Sequence, residues 1–295
     1  MLFKKIAPLF PTLAGVLWGL TGIFVRNLNG IGIDNFHLAF FRSLFAAVSL
    51  IIFFLITDKK QLRIEVKDLW CFFGTGILSV FSFSVCYFYT LMHSSVSVAV
   101  ILAYTAPFFV ILLSAIIFRE KITAVKLVAL FIATLGCFLL CKTDKNTPIT
   151  AVVIIIGLLA GLSYALYSIF ARFVVGKYPP LVITAYTFIF SSVGSAFLAD
   201  FHSFASAVSA HPASILTVIL FSFVSTLMPY LLLTIGLKYV EAGKAAILTT
   251  TEVLTASLVG ILFFHEKITA AGILGIILIL AAVVLINIKL SGKDL

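Results

Sequence analysis

A single glutamate, Glu252, lies inside a long apolar stretch and is the residue best placed to do chemistry. The stretch runs from Ala242 to Phe264 and reads LTTTEVLTAS around the acid. Such a carboxyl group can bind an ammonium ion or another cation, can carry a proton, or can do both. The structural alternative is a carboxylic acid hydrogen-bonded to the hydroxyls of Thr249, Thr251 or Thr255. We favour the functional role, because charges inside a membrane cost about 2.5–3.5 kcal/mol on insertion scales and usually face a cavity or a partner.

Aromatic side chains that carry a polar atom form the second group of candidates. They also occur inside apolar stretches, where a hydroxyl or indole N–H group needs a hydrogen-bond partner. Rings around one carboxylate can hold an ammonium ion by cation–π attraction, although ordinary helix packing is the alternative for each ring. The predicted binding residues are Glu252, Trp18, Tyr87, Tyr104, Tyr164 and Tyr230.

Two prolines within apolar stretches are candidate hinges. They are Pro107, in YTAPFF, and Pro229, in LMPY. Proline removes a helical hydrogen bond and bends the helix at that point. We therefore predict that the chain flexes at these two positions.

The composition of the chain indicates that these residues belong to an integral membrane protein. The chain has 295 residues, of which 62% are hydrophobic and 11% charged, and its mean hydropathy is +1.24. Soluble domains are about 45–50% apolar and about 25% charged, so a water-soluble fold is excluded. The net charge of +9 is explained by Lys and Arg in cytoplasmic loops, and we predict no nucleic-acid partner. The Cys and His residues lack the spacing of a metal site, so no metal or cofactor is predicted.

Ten segments are long and apolar enough to cross a bilayer as helices, for which roughly 20 residues each are needed. The connection 200–212 has apolar residues at helical spacing and is predicted to be a short interfacial helix. The predicted spans cover residues 6–25, 35–57, 68–90, 95–117, 123–141, 149–173, 180–200, 212–236, 243–264 and 268–289.

The distribution of positive charge predicts the orientation. If the N-terminus is cytoplasmic, most of the 20 Lys and Arg residues fall in cytoplasmic connections, as the positive-inside rule requires. We therefore predict a multi-pass protein of the cytoplasmic membrane, in contact with lipid, with both termini inside. The sequence leaves the oligomeric state open.

The chain also contains an internal repeat. FREKIT at 118–123 recurs as FHEKIT at 264–269, and the same offset of 146 residues aligns IFVR at 23–26 with IFAR at 169–172. The offset also places Trp18 over Tyr164. We predict two five-helix repeats, residues 1–146 and 147–295. Since five is odd, the second repeat is inverted, which is typical of secondary transporters.

These features together resemble the drug/metabolite transporter superfamily, EamA type. The resemblance lies in the inverted repeat, in the pair Trp18-Gly19 in the first span, in Arg42 in the second, and in an EKIT sequence near the end of the fourth span of each repeat. The family often has a Glu-Pro pair in its ninth span. Glu252 matches the Glu, and Val253 departs from the Pro.

The resemblance implies a ten-helix bundle with a central cavity and alternating access for small metabolites. The cavity would be lined by spans one, three, four, six, eight and nine, so the second span is peripheral. Arg42 could bind a substrate carboxylate, or it could pair with a nearby acid or a helix-end carbonyl. Because its span is peripheral in the family, we favour the structural pair.

We predict a secondary transporter, and not an enzyme, that moves a small amine-bearing metabolite, with amino acids as the leading class and export as the direction. Glu252 would sense the ammonium group or a coupled proton. One alternative keeps the fold and changes the cargo to quaternary amines or lipophilic cations. A channel is a minor alternative, because the sequence lacks repeated charged or carbonyl-filter motifs. An intramembrane enzyme would need paired acids, a metal triad or clustered nucleophiles, and the spans contain none of these patterns.

Overall fold

The computed structural model describes residues 6–94, 96–140, 150–265 and 269–287, and within them the regular structure is entirely helical. Eleven helical rods, α1 to α11, follow one another along these ranges, and a 3₁₀ turn, Lys59–Leu62, precedes α3. The rods are α1 (Leu9–Gly19 and Thr21–Asn29), α2 (Asn35–Thr57), α3 (Val66–Met92), α4 (Val96–Ala103 and Ala106–Phe118), α5 (Ala124–Leu140), α6 (Ala151–Val174), α7 (Pro180–Ser195), α8 (Phe201–Ala210), α9 (Ser214–Leu237), α10 (Ala242–Leu248 and Thr251–Phe264) and α11 (Ala270–Asn287).

Eight of these rods have the length and apolar composition that crossing a membrane requires, counted over the described residues. The fifth and seventh predicted spans correspond to shorter apolar helices, α5 with 17 residues and α7 with 16. A short helix, α8, is present where the interfacial helix is predicted, and the Asp200 side chain caps it by accepting from the backbone N–H groups of His202 and Ser203. The rods therefore follow the predicted segments, and eight meet the criterion for a span.

The outside of the bundle is apolar. Side chains such as Ile56 and Phe197 are 79% and 88% exposed, which a soluble protein avoids over so wide a surface. The interior contains Tyr167, Phe188 and Leu237, each at most 1% exposed. The molecule thus has an apolar core and an apolar exterior, as a protein surrounded by lipid requires.

Two rods are broken near their middle. In α4 the break falls at Tyr104 and Thr105, and in α10 it falls at Thr249 and Thr250. Hydroxyl groups satisfy backbone carbonyls beside both breaks: Thr105 donates to Leu102 O over 2.6 Å, and Thr250 donates to Ile247 O over 2.7 Å. Broken helices are tolerated at membrane depth where they are buried in protein or line a cavity.

Glycines bring two other helices against these breaks. A methyl group added at Gly15 in α1 would lie 2.2 Å from Thr251 Oγ1 in α10, and one added at Gly161 in α6 would lie 2.2 Å from Thr105 Oγ1 in α4. Only a residue without a side chain permits so close an approach. Gly15 and Gly161 therefore mark two seams, where α1 packs closely against α10 and α6 packs closely against α4.

Further local geometry recurs at the 146-residue spacing. Arg119 and His265, which end α4 and α10, both adopt left-handed backbone conformations with φ of 55° and 53°. Beside Arg119, the Glu120 N–H group donates to Ser114 O over 3.3 Å, and Gly260 O, 146 residues further along the chain, accepts the equivalent capping hydrogen bond at the end of α10. Both α3 and α9 contain a π-helical segment, Gly74–Phe81 and Phe223–Leu227.

Charged residues gather at one end of the bundle, which we call the ion-pair end and define as residues 58–68, 119–126, 172–180 and 237–244. Here the Glu120 carboxylate accepts hydrogen bonds from the backbone N–H groups of Ala242 and Gly243, over 3.1 and 3.4 Å. Glu120, which belongs to the first EKIT sequence, thus caps α10 from the loop that precedes α5. Glu266, its partner in the repeat, lies outside the described residues.

Candidate functional site

The Glu252 carboxyl group lies at the start of the second segment of α10. Because α10 is broken, Glu252 falls in the first turn of Thr251–Phe264, where the helix dipole favours a negative charge. Its Oε2 accepts a hydrogen bond of 3.1 Å from the hydroxyl of Tyr164 in α6, and Tyr104 in α4 lies nearby. The acid is partly buried, and residues of three helices thus meet at one carboxyl group.

The neighbouring threonines direct their hydrogen bonds away from the Glu252 carboxyl group. Thr249, Thr251 and Thr255 donate their hydroxyl hydrogens to backbone carbonyls, over 2.9, 2.8 and 3.1 Å respectively. The carboxyl group instead meets tyrosines from other helices. The threonine hydroxyls therefore stabilise the backbone around the break. They leave the Glu252 carboxyl group available to a ligand that lies beside the tyrosines.

An aromatic cluster formed by Trp18, Tyr164 and Tyr230 adjoins the acid. Trp18 contacts the ring of Tyr164 edge to face with 5.9 Å between centroids, and it contacts Tyr230 in the same way at 5.0 Å. Tyr230 packs in turn on Tyr167, at 4.8 Å. The cluster joins α1, α6 and α9, and Tyr164 links it directly to Glu252.

Tyr87 joins this group through a residue that the sequence did not single out. The Phe83 ring stacks on Tyr87 with centroids 5.3 Å apart, and it lies 5.4 Å from the Tyr164 ring. Ring contacts and one hydrogen bond therefore connect Trp18, Tyr87, Tyr164 and Tyr230 to Glu252. A phenylalanine such as Phe83 could not be distinguished in advance from the other 29 in the chain.

A small pocket, with a volume of about 20 Å³, lies between Tyr164 and the ion-pair end. Tyr104 and Tyr164 line one part of it, and Ser168 and Thr250 add polar groups. The rest of the lining is mainly apolar, which is typical of small-molecule sites with a few convergent polar groups. The remaining lining residues are Ala106, Pro107, Val110, Ala165, Leu233, Ala246 and Thr249.

The two predicted hinge prolines lie just after irregular segments. Pro107 is the second residue of Ala106–Phe118, directly after the break in α4, and it lines the cavity. Pro229 is the second residue of Met228–Leu237, directly after the π-helical segment of α9. Both positions start a regular helical segment, where the missing N–H group of proline costs little.

Hydrogen bonds and ion pairs join the helices between the cavity and the ion-pair end. The hydroxyls of Tyr167 and Thr234 are 2.5 Å apart, and Arg172 donates to Leu237 O and Val240 O. Further out, the ammonium group of Lys126, which is 6% exposed, lies 2.5 Å from Glu241 and 3.8 Å from Glu120. These contacts close the bundle at this end.

Sequence reasoning missed these closing contacts. No pattern in the sequence links Lys126 with Glu241, or Arg172 with Val240, because the members of each pair lie far apart along the chain. Chemically, the site offers one carboxyl group with two tyrosine neighbours, a wall of aromatic rings, and a cavity whose ion-pair end is closed. This arrangement can bind a cation or exchange a proton.

Comparison with known proteins gives a consistent result. A profile of the EamA-like transporter family matches residues 5–141 and again residues 151–288. An uncharacterized transporter of Archaeoglobus fulgidus is 31% identical over 275 residues, which cover 92% of this chain and 93% of that protein. The pseudopaline exporter CntI of Pseudomonas aeruginosa is 27% identical over 173 residues, or 57% of this chain and 59% of that protein. A crystal structure superposes with a TM-score of 0.76 over 95% of both chains at 17% identity, which shows a shared fold.

Proposed function

The chain belongs to the EamA-like transporter family, as a multi-pass membrane transporter, and from this premise we propose that it is a secondary transporter of small amine-bearing metabolites. The family and the relatives named as transporters point away from an enzyme. Amino acids are the leading class of cargo, and export across the cytoplasmic membrane is the proposed direction. The exporter named among the relatives supports that direction.

The observation that carries this proposal is the Glu252 carboxyl group, held by Tyr164 beside the cavity and the aromatic cluster. An ammonium group placed there would meet one negative charge and lie near the rings of Trp18 and Tyr164. Cation–π attraction and an ion pair favour the same kind of ligand. A neutral metabolite would gain from neither contact.

The proposed mechanism is alternating access between two inverted repeats, residues 1–146 and 147–295, each with five spans. Support comes from the matched left-handed residues Arg119 and His265 and from the matched glycine seams at Gly15 and Gly161. The family profile, which matches the chain twice, is also consistent with two repeats. In such transporters broken helices at the interface of the repeats form the site, and one repeat rocks against the other.

The proposed orientation places the ion-pair end in the cytoplasm, with both termini on that side. The positive-inside rule supports it, because most Lys and Arg residues then lie at the inner surface. The ion pairs of Lys126 and the backbone contacts of Glu120 and Arg172 would then form the inner gate. In this conformation the inner gate is closed.

The decisive experiment measures thermal stabilisation of the purified full-length protein by amino acids and amines, in the wild type and in Glu252→Gln. A ligand that binds the folded state raises its stability according to its concentration and Kd. Glu252→Gln keeps the shape of the side chain and removes the charge. We expect amines to stabilise the wild type and to require about tenfold more ligand or greater in the variant. Equal stabilisation of both proteins would refute the ammonium role.

Proton coupling is a separate part of the proposal and needs its own measurement. Uptake of the stabilising amine into proteoliposomes would be followed with and without a pH gradient. Coupling through Glu252 predicts a faster rate with the gradient in the wild type and the same rate with or without it in Glu252→Gln. A wild-type rate that the gradient leaves unchanged would indicate a uniporter.

Two alternatives keep the membrane fold. One differs in the transported molecule, and the other differs in the mode of transport. Quaternary amines or lipophilic cations would also be attracted by the rings and by Glu252, and tetraethylammonium belongs in the ligand panel for this reason. A channel would show flux without saturation or counterflow. Saturable counterflow of an amino acid would favour the proposed transporter over both.

A further inference from the structure

Arg172, in the last turn of α6, holds the end of α9 at the ion-pair end. Its Nη1 donates to Leu237 O and, over 3.1 Å, to Val240 O. Leu237 is the last residue of α9, and Val240 follows it by three positions. The last carbonyls of a helix have no partners within the helix and lie at its negative dipole end. A guanidinium group therefore suits this position, because it brings several donors and a positive charge.

Arg26 is the counterpart of Arg172, 146 residues earlier, and the IFVR and IFAR sequences contain the two arginines. It also lies in the last turn of its helix, α1, but at the other end of the bundle. We call this the opposite end, and it holds the connection between α1 and α2. Here the Arg26 Cζ lies 4.1 Å from the centroid of the Phe264 ring, where α10 ends. The two arginines thus occupy equivalent positions and make different contacts.

The turns that carry the two arginines also differ in their exposure. Ser168, one turn before Arg172, is 6% exposed and lines the pocket. Its counterpart Gly22 is exposed, and nothing lies within 4 Å of a methyl group added there. Ile169 is 2% exposed, whereas its counterpart Ile23 is only partly buried. The end of α6 is therefore enclosed at the ion-pair end, and the matching part of α1 is more open.

The same offset identifies the groups that Arg26 would bind if the opposite end closed. Leu237 O and Val240 O correspond to Leu91 O and Ser94 O, which lie where α3 ends. These are backbone groups, so the difference between the Ser94 and Val240 side chains does not affect them. In the structure the second segment of α1 packs instead against α10 and the first half of α9. A movement of α1 towards α3 would bring Arg26 to these carbonyls.

The ring contact has a counterpart too. Phe264, below the Arg26 guanidinium group, corresponds to Phe118, the last residue of the second segment of α4. In the structure Phe118 packs on Phe173, with centroids 4.9 Å apart. An arginine over an exposed ring is held less strongly than one that donates to helix-end carbonyls. Each contact therefore marks the state in which its end of the bundle is open.

We propose that Arg26 and Arg172 exchange these two kinds of partner as the transporter changes conformation. With the ion-pair end closed, as in the structure, Arg172 binds the end of α9 and Arg26 lies over Phe264. With the opposite end closed, Arg26 binds the end of α3 and Arg172 lies over Phe118. Because one arginine gains the hydrogen bonds that the other loses, the two conformations stay close in free energy. The inference rests on the proposed inverted repeats and adds the residue that closes the opposite end.

Two reporter cysteines, made separately in the full-length protein with the four native cysteines replaced, measure which end is open. Ser168→Cys reports on the ion-pair end, and Gly22→Cys reports on the opposite end. In lipid nanodiscs both ends are accessible to a water-soluble maleimide, and no transported molecule is needed. Each reporter is combined with the native arginines, with Arg26→Gln, with Arg172→Gln, and with Arg63→Gln. The last is the control, because Arg63 is an exposed arginine in a loop.

The readout is the labelling rate at position 168 divided by the rate at position 22. Arg172→Gln removes hydrogen bonds of the conformation in the structure and should raise this ratio about tenfold or more, since charged hydrogen bonds are lost. Arg26→Gln removes hydrogen bonds of the other conformation and should lower the ratio by a similar factor. The double variant should return the ratio towards the native value, and Arg63→Gln should not change it.

A ratio that Arg26→Gln leaves unchanged, or raises, would overturn the proposal. Labelling that becomes faster at both reporters in both arginine variants would show a general loosening of the bundle and would overturn it as well. Arg26→Lys keeps the charge and loses the planar fork, so its ratio should lie between those of Arg26→Gln and the native protein. Should Arg26→Gln fail to elute as a monodisperse protein, Arg26→Lys decides in its place.

The reporters also separate this inference from the proposed amine transport, because the labelling does not depend on cargo. If amines stabilise the protein through Glu252 and Arg26→Gln does not lower the ratio, the amine function stands and the exchange of partners is wrong. If the two arginine variants move the ratio in opposite directions and no amine binds, the exchange of partners stands and the proposed cargo is wrong.

Discussion

Tyr164 in α6 reaches Glu252 in α10 through a hydrogen bond of 3.1 Å that connects residues 88 positions apart. The same tyrosine packs on Trp18 and lines the cavity. Its ring and its hydroxyl therefore do different things: the ring joins the aromatic cluster, and the hydroxyl orients the acid. The two contributions can be separated by removing one oxygen atom.

The substitution Tyr164→Phe should weaken the response to amine ligands while it preserves the fold. The lost hydrogen bond should cost about 1 kcal/mol in the free energy of unfolding, and the acid should lose its fixed orientation. Thermal unfolding with and without the ligand measures both effects. Tyr186→Phe is the matched control, because its hydroxyl donates to Leu62 O over 2.7 Å, away from Glu252. Equal ligand responses in the two variants would show that Tyr164 does not position the acid.

The substitutions Gly15→Ala and Gly161→Ala should destabilise the protein. Each added methyl group would lie 2.2 Å from a threonine oxygen, so α1 must move away from α10, or α6 from α4, and such overpacking costs about 1–3 kcal/mol. Thermal unfolding in detergent checks this. Gly22→Ala is the control, because nothing lies within 4 Å of its added methyl group. Equal Tm values for Gly15→Ala, Gly161→Ala and Gly22→Ala would show that the close helix contacts at Gly15 and Gly161 do not contribute to stability.

The substitution Glu120→Gln should loosen the closed end of the bundle. The amide keeps an acceptor for the Ala242 N–H group and loses the charge that faces Lys126. A cysteine at Ser168, in a protein with the four native cysteines replaced, reports on access to the cavity. We expect a membrane-impermeant maleimide added at the ion-pair end to react several times faster.

Asp58→Asn serves as the control for that experiment. Asp58 lies at the same end and caps only its own 3₁₀ turn, through the Lys60 N–H group. Its substitution should leave the labelling rate of the Ser168 cysteine unchanged. A rate that rises equally in both variants would show a general effect of charge at that surface, and would remove the case for Glu120 as part of a gate.

The ion pairs in the loops predict a pH dependence of stability. Hydrogen bonds from Lys177 and from Lys67 lower the pKa of Glu65 below its usual value. A lowered pKa stabilises the folded protein at pH values above the unfolded pKa, about 4.3, and this stabilisation is lost as the pH falls through the folded value. The difference in Tm between the wild type and Lys177→Gln should therefore be constant from about pH 5 to 8 and shrink below about pH 4.

Lys59→Gln, an exposed lysine of the same loop, provides the comparison for this measurement. Its difference from the wild type should be small and should not follow the titration of Glu65. A difference for Lys177→Gln that stays constant down to pH 3 would mean that its pairing with Glu65 and Asp68 contributes nothing to stability. Exposed ion pairs are worth little individually, so the expected shift in Tm is small.

The positions of the helices follow from the sequence, because apolar stretches of bilayer length have few other stable structures. Glu252 could also be selected from the sequence, because the equivalent position of the first repeat is Ala106 and carries no acid. The break in α10 could not be predicted at Thr249 and Thr250, since threonines are also tolerated in a continuous helix. In α4, by contrast, Pro107 marks the corresponding position.

The partners of the charged residues are where sequence reasoning failed. Glu120 meets Ala242 at a separation of 122 residues, and Tyr178 donates to Asp68 over a separation of 110. No periodicity within a helix encodes such pairs, since they depend on how the helices pack. Arg42 likewise donates to Ser84, at a separation of 42 residues.

The seam between α1 and α10 has a consequence for how the protein is made. Gly15 and Thr251 are packed together, yet the ribosome adds the threonine only after most of the chain has entered the membrane. Until then the glycine face of α1 lacks the surface it fits, and the Thr12 carbonyl lacks the hydroxyl that it later binds. A ribosome stalled shortly before α10 would thus hold an insertion intermediate in which α1 is not yet packed against α10. Crosslinking between positions 15 and 251 would date the moment at which the bundle closes.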